Sequence, residues 1–231
     1  MSSLEILSDK HPALSNALKL GVFAVVAALI LGSTYSITAD RIAASQLAVE
    51  QQAMLDVVEL LEDKSVDLTD RLVIPENYTA MLNLSPSESI QMVRDSGANP
   101  IAFIIPAVAP DGYSGAIRLL VGVDLGGNIT GVRAIEHRET PGLGDKVDIK
   151  KSDWILSFVG KSLGNPLNGW AVKKDGGQFD AFTGATITPR AVVSQIERVL
   201  QFYDQYSAEL VEQASTVVEV PSINELEQSD E

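Results

Sequence analysis

The sequence predicts an α+β protein: one N-terminal apolar helix, then a mixed, largely antiparallel sheet with flanking helices. Three observations carry that class. No residue from 20 to 39 is charged; two strand-like runs, 116–124 and 128–136, meet at Gly126-Gly127; and apolar residues return at helical spacing after Thr188-Pro189.

Residues 20–39 (LGVFAVVAALILGSTYSITA) are long enough to cross the roughly 30 Å hydrocarbon core of a bilayer as a helix. A cleaved signal peptide is the competing reading. The length of the run favours an uncleaved anchor, as does the poor cleavage match at Ile37-Thr38-Ala39. Lys10 and Lys19 place the short N-terminal flank, residues 1–19, on the cytoplasmic side. The rest of the chain then faces outward, into the periplasm if the cell is Gram-negative, with a single pass through the inner membrane.

Over residues 41–61, Ile42, Leu47, Met54, Leu55, Val58 and Leu61 recur at helical spacing and predict a helix rising from the membrane. Pro75, Pro86, Pro100, Pro106 and Pro110 then predict an irregular region with short strands such as 101–105. Residues 40–110 are assigned to this helix and a first α/β subdomain. The Gly126-Gly127 pair supplies the positive φ of a tight hairpin. Ser152 or Asp153 can cap a short helix carrying Trp154 and Phe158, and a second hairpin is expected around Asp175-Gly176-Gly177. Proline suits the start of a helix, and Val192, Ile196, Val199, Leu200 and Tyr203 follow Pro189 at core spacing. Beyond about Glu212 the chain turns polar and acidic, which predicts a disordered tail over 212–231.

Composition removes several function classes. The net charge is -14, and because residues 1–19 hold Lys10 and Lys19 against Glu5 and Asp9, all of it lies further along the chain. Such a chain cannot neutralise phosphates, so nucleic acid is excluded as a partner. With no cysteine there is no disulfide, thiolate metal site, Cys-ligated iron–sulfur cluster or Cys nucleophile. The two histidines, His11 and His137, lie on opposite sides of the span, so no His-rich metal site forms and no metal is expected. No Gly-x-Gly-x-x-Gly, Walker loop or Gly-x-Ser-x-Gly elbow occurs.

Two segments remain. Glu139-Thr140-Pro141-Gly142-Leu143-Gly144 follows a strand and gathers small residues into one loop. It reads either as an ordinary turn or as a surface where backbone approaches a flat ligand. Asp180-Ala181-Phe182-Thr183-Gly184-Ala185-Thr186-Ile187-Thr188 precedes the long helix. There, hydroxyls and free N–H groups at a helix start attract phosphate, but Thr188 could equally be an N-cap with Thr183 and Thr186 on a turn. Physical chemistry alone leaves both pairs of readings open.

The pattern Asp-x-x-Thr-Gly-Ala-Thr-x-Thr resembles the flavinylation motif of the FMN-binding domain family, whose last Ser or Thr is esterified to the phosphate of FMN. The resemblance implies that Thr188 carries FMN through a phosphoester, framed by Asp180, Thr183, Gly184, Ala185 and Thr186. The loop Glu139, Thr140, Pro141, Gly142, Leu143, Gly144 and the following Trp154-x-x-x-Phe158-x-Gly160-Lys161 also fit the family, and imply an FMN-binding domain over 111–211. Within the family, Gly112-Tyr113-Ser114-Gly115 and Glu139 to Asp145 resemble the G subunits of Rnf (Rsx) complexes more than the C subunits of sodium-pumping NADH:quinone reductases.

The resemblance implies an electron-carrier subunit, with no independent catalytic site, of a membrane complex that couples electron transfer to cation translocation. Its partners would be the membrane, the other subunits, and during maturation an external flavin transferase using FAD and a metal ion. A threonine hydroxyl is a poor nucleophile, and the attachment motif offers no obvious base for self-attachment. The expected span carries no ionisable residue, so an ion path would lie in partners. Two alternatives remain: the sodium-pumping reductase subunit, and a non-redox extracytoplasmic binding or assembly module in which Thr188 is only a cap.

Overall fold

The computed structural model describes residues 12–59, 61, 67–68 and 70–216. The expected N-terminal flank lies largely outside them, as does most of the expected acidic tail. The chain divides into two units, residues 1–49 and 50–231.

Helix α1, Pro12–Val58, takes in both the expected span and most of the helix expected to rise from it. In the first unit its apolar side chains are exposed on every side, with Leu20, Leu31 and Tyr35 each about 70% accessible. A helix apolar all round and covered by no protein is built for lipid. It is the one helix among the described residues long and apolar enough to cross a membrane. The hydroxyls of Thr34 and Thr38 donate to the carbonyls of Ile30 and Thr34, both at 2.8 Å, so neither polar group faces hydrocarbon unpaired.

The second unit is built on five strands: β1 (Arg71–Val73), β2 (Ser89–Arg94), β3 (Pro100–Ala109), β4 (Ile117–Asp124) and β5 (Ile129–Glu136). They lie in sequence order, every neighbouring pair antiparallel. Helix α2 (Glu76–Leu82) separates β1 from β2, and α3 (Ile187–Thr216) closes the unit. The proline-rich stretch is therefore regular. Pro75 sits just before α2, and Pro106 is tolerated inside β3 because the pairing with β2 runs only as far as Ile104. At Pro106 the strand pairs with β4 alone and is locally an edge.

The sheet is buried on both faces, which is why β3 reads as a continuous apolar run rather than an alternation. Phe103, Ile105 and Ala107 join the main core with Val192, Ile196, Val199 and Phe202 of α3. Ala102 and Ile104 point the other way, into a smaller core with Ala53, Val57 and Val58 from the end of α1. Close approach there depends on glycine: a Cβ on Gly131 would lie 2.7 Å from the Val57 carbonyl oxygen and 2.8 Å from its Cα. The hairpin between β4 and β5 turns at Gly127, with φ 80°, as its dipeptide predicts.

The long helix runs to Thr216, further than the sequence suggests. Leu210 and Ala214 are buried, and the Arg94 guanidinium, itself 5% exposed, donates to the Ala214 carbonyl (2.7 Å) and pairs with Asp70 (2.7 Å). Around Asp175 there is no hairpin. A 3-10 turn, Lys173–Asp175, brings Gly177 directly against the Ala171 carbonyl, and the flanks meet only in an isolated parallel bridge between Val172 and Phe179.

Tyr203 on α3 is buried, and its hydroxyl finds no hydrogen-bond partner among the described residues. Burial, reinforced by the negative charge of Asp124, pushes its pKa up to about 12. Because the folded value lies above the ordinary value near 10, the protein loses stability as pH rises from about 10 towards 12. Tyr203→Phe should remove about 2 kcal/mol of that alkaline loss and change little at pH 7. Urea denaturation of both proteins across this pH range checks it.

Candidate functional site

The two motifs singled out by sequence lie against each other. The loop after β5 turns tightly, its Thr140 carbonyl accepting from the amides of Leu143 and Gly144, both at 3.1 Å. The Gly142 amide donates to Asp145 Oδ1 (2.8 Å), and Asp145 is buried at the start of the 3-10 turn Asp145–Val147. The Phe182–Ala185 turn lies against this loop, with the Leu143 side chain beside Gly184. Thr140, Pro141, Gly142, Leu143, Thr183 and Gly184 are exposed, while Ala185 and Thr186 are half-buried.

Thr188 is not an N-cap. Helix α3 begins at Ile187, so Thr188 is its second residue and Pro189 its third. Proline is accommodated there because the first four amides of a helix have no intrahelical acceptor. The Thr188 side chain is fully buried, and its Oγ1 donates to Glu139 Oε2 at 2.5 Å. The other carboxylate oxygen, Oε1, accepts from the Ser114 amide at 2.9 Å. Glu139 is 5% exposed, and none of the ion pairs among the described residues involves it. A carboxylate removed from water without a cation is costly unless strong hydrogen bonds compensate, and a 2.5 Å O–H···O contact is in the charge-assisted range. Gly144 completes the enclosure: a Cβ there would lie 2.9 Å from Thr188 Oγ1 and closer still to Glu139 Oε2.

Asp180 faces elsewhere. Its carboxylate pairs with Lys173 on the surface (2.7 Å), and its carbonyl accepts from Trp154 Nε1 (2.8 Å). Trp154 lies in the 3-10 turn Asp153–Phe158, started as predicted by Ser152, whose Oγ accepts from the Trp154 amide. Its ring meets Phe158 and Phe182 edge-on, with centroids 5.2 and 4.9 Å apart, and Phe158 stacks on Phe179 at 4.6 Å. Arg190 in the first turn of α3 binds Asp175 through two contacts of 2.5 and 2.6 Å, holding that carboxyl below the usual carboxylate range.

Sequence reasoning did not single out Ser114, Asp145 or Lys173 as site residues. The short glycine-flanked Gly112-Tyr113-Ser114-Gly115 was the available signal for the first. Asp145 was legible only as the last residue of the Glu139–Asp145 motif, and Lys173 carries no signal. Among the described residues no group of His, Asp and Glu could hold a metal ion.

An FMN phosphate fits this arrangement in one respect and is obstructed in another. The hydroxyl sits in the first turn of α3, where unpaired amides and the helix dipole favour an anion. Glu139 and the backbone at Gly144 cover that hydroxyl, so a phosphoester on Thr188 requires the 140–144 loop to move aside.

Residues 112–201 match the family model of the FMN-binding domain, and residues 1–57 match that of the RnfG N-terminal region. The chain is 46% identical over 201 residues to the G subunit of the ion-translocating oxidoreductase complex of Pseudomonas aeruginosa, covering 85% of this chain and 91% of the relative. It is 43% identical over 199 residues to the protein of that name from Aliivibrio fischeri, covering 84% and 92%. With the corresponding Yersinia pestis protein it shares 46% identity over 183 residues, covering 79% and 86%.

Proposed function

The chain belongs to the family of G subunits of ion-translocating oxidoreductase complexes, and on that basis we propose that it is an electron carrier with FMN esterified to Thr188. It would serve as a redox subunit of a translocase that couples electron transfer to cation movement, and would have no catalytic centre of its own. The supporting observation is the convergence of both sequence motifs on the Thr188 hydroxyl, at the first turn of a helix.

When bound, FMN supplies reversible electron transfer, and a phosphoester leaves its ring chemically free. The chain's own residues bind and orient it. First-turn amides of α3 receive the phosphate, and the exposed loop of Thr140, Pro141, Gly142 and Leu143 offers the ring a surface. Thr183, Gly184, Ala185 and Thr186 shape the approach, while Asp180 acts from outside through Lys173 and Trp154. Residues 20–39 anchor the chain once through the inner membrane with the N-terminus cytoplasmic. Residues 111–211 face the periplasm and meet the other subunits, and a flavin transferase matures the protein.

The test is peptide mapping of the full-length protein co-expressed with a flavin transferase. The peptide containing Thr188 should carry FMN through phosphate after denaturation. An unmodified peptide, with the transferase shown active on another substrate, would overturn the reading.

A further inference from the structure

The one carboxylate of the attachment motif, Asp180, faces Lys173 on the surface, and the fold brings another to the Thr188 hydroxyl from 49 residues away in the chain. Resting on the reading that Thr188 is the attachment residue, we propose that Glu139 is a catalytic residue of flavin attachment: its Oε2 takes the proton from Thr188 Oγ1.

Three observations converge on this. The reacting oxygen already donates to Glu139 Oε2 at 2.5 Å, so the proton lies on the line of transfer. The second carboxylate oxygen is fixed by the Ser114 amide, which holds the acceptor in place. The carboxylate is buried without a cationic partner among the described residues, a costly placement that its hydrogen bonds offset, one of them from the reacting hydroxyl. A threonine hydroxyl needs such an adjacent acceptor to act as a nucleophile near neutral pH.

The step balances. With the 140–144 loop displaced, Thr188 Oγ1 forms a bond to the phosphorus on the flavin side of FAD. The phosphoanhydride P–O bond breaks, and AMP leaves with the bonding electron pair. The hydroxyl proton passes to Glu139 Oε2 and from there to solvent, and no oxidant or reductant is consumed. Once esterified, Oγ1 has no proton to donate, so the contact between Glu139 and Thr188 exists only before attachment.

The experiment uses the full-length chain purified without flavin, an isolated flavin transferase and FAD, with attachment followed by intact mass. Glu139→Gln should lower the rate constant at saturating transferase by about 100-fold or more with KM unchanged, and Glu139→Asp should recover part of it. A folded Glu139→Gln protein that is modified within about threefold of the wild-type rate would overturn the proposal. If Glu139→Gln does not fold, the pH profile decides. His137, whose Nδ1 accepts from the Glu139 amide, and buried Asp145 are the other ionisable side chains close by. The discriminating result is therefore a shift of the profile in Glu139→Asp, and an unshifted profile would overturn the proposal. A wild-type chain that takes no flavin would instead sink the Thr188 reading itself.

Discussion

Thr188→Ala is expected to abolish flavin that survives denaturation while leaving the domain folded. The loss should be complete because no other hydroxyl occupies the same place: Thr183 is exposed on the preceding turn, and Thr186 precedes the first residue of α3. The fold should survive because Thr188 does not cap the helix, and Glu139 keeps its bond from the Ser114 amide. Removing one buried donor from a carboxylate costs about 2–3 kcal/mol, less than the roughly 5–15 kcal/mol stability of a domain. Thr188→Ser keeps the oxygen and should still be modified. In-gel flavin fluorescence and intact mass of the three proteins, each co-expressed with a transferase, check this. Covalent flavin persisting in Thr188→Ala would move the attachment site to another residue.

Gly131→Ala should produce a large loss of stability, on the order of 3 kcal/mol. Overpacking a filled core typically costs about 1–3 kcal/mol, and the upper end applies where nothing flexible can yield. The new methyl would meet the carbonyl oxygen, Cα and carbonyl carbon of Val57, all backbone atoms in the last turn of α1. Relief requires that turn to leave the sheet, which would expose Val57, Val58, Ala102 and Ile104 together. A urea midpoint within a few tenths of the wild-type value would show that the end of α1 moves freely.

The sequence made local geometry legible and left pairings between distant segments hidden. Gly126-Gly127 announced its hairpin because a two-residue turn depends on those two residues, and Ser152 announced a cap for the same reason. The prolines misled: whether Pro106 breaks a strand depends on how far the neighbouring strand extends, which is set 15 residues upstream, where β2 ends its pairing at Gln91. Asp175-Gly176-Gly177 has hairpin chemistry, but contact with Ala171 and a two-pronged pair with Arg190 made it a compact turn. Each motif of the candidate site could be read by itself. That one of them aims a buried carboxylate at the other's hydroxyl required the fold.

The aromatic cluster beside the 180–188 segment has a spectroscopic consequence. The chain has two tryptophans, Trp154 and Trp170, and both belong to this cluster. All of its tryptophan emission therefore originates next to the 180–188 segment, and none from α1 or the sheet. Flavin absorbs where tryptophan emits, so a flavin tethered to Thr188 would quench that light by energy transfer. Ultraviolet-excited emission would thus follow cofactor loading in real time on the unlabelled protein.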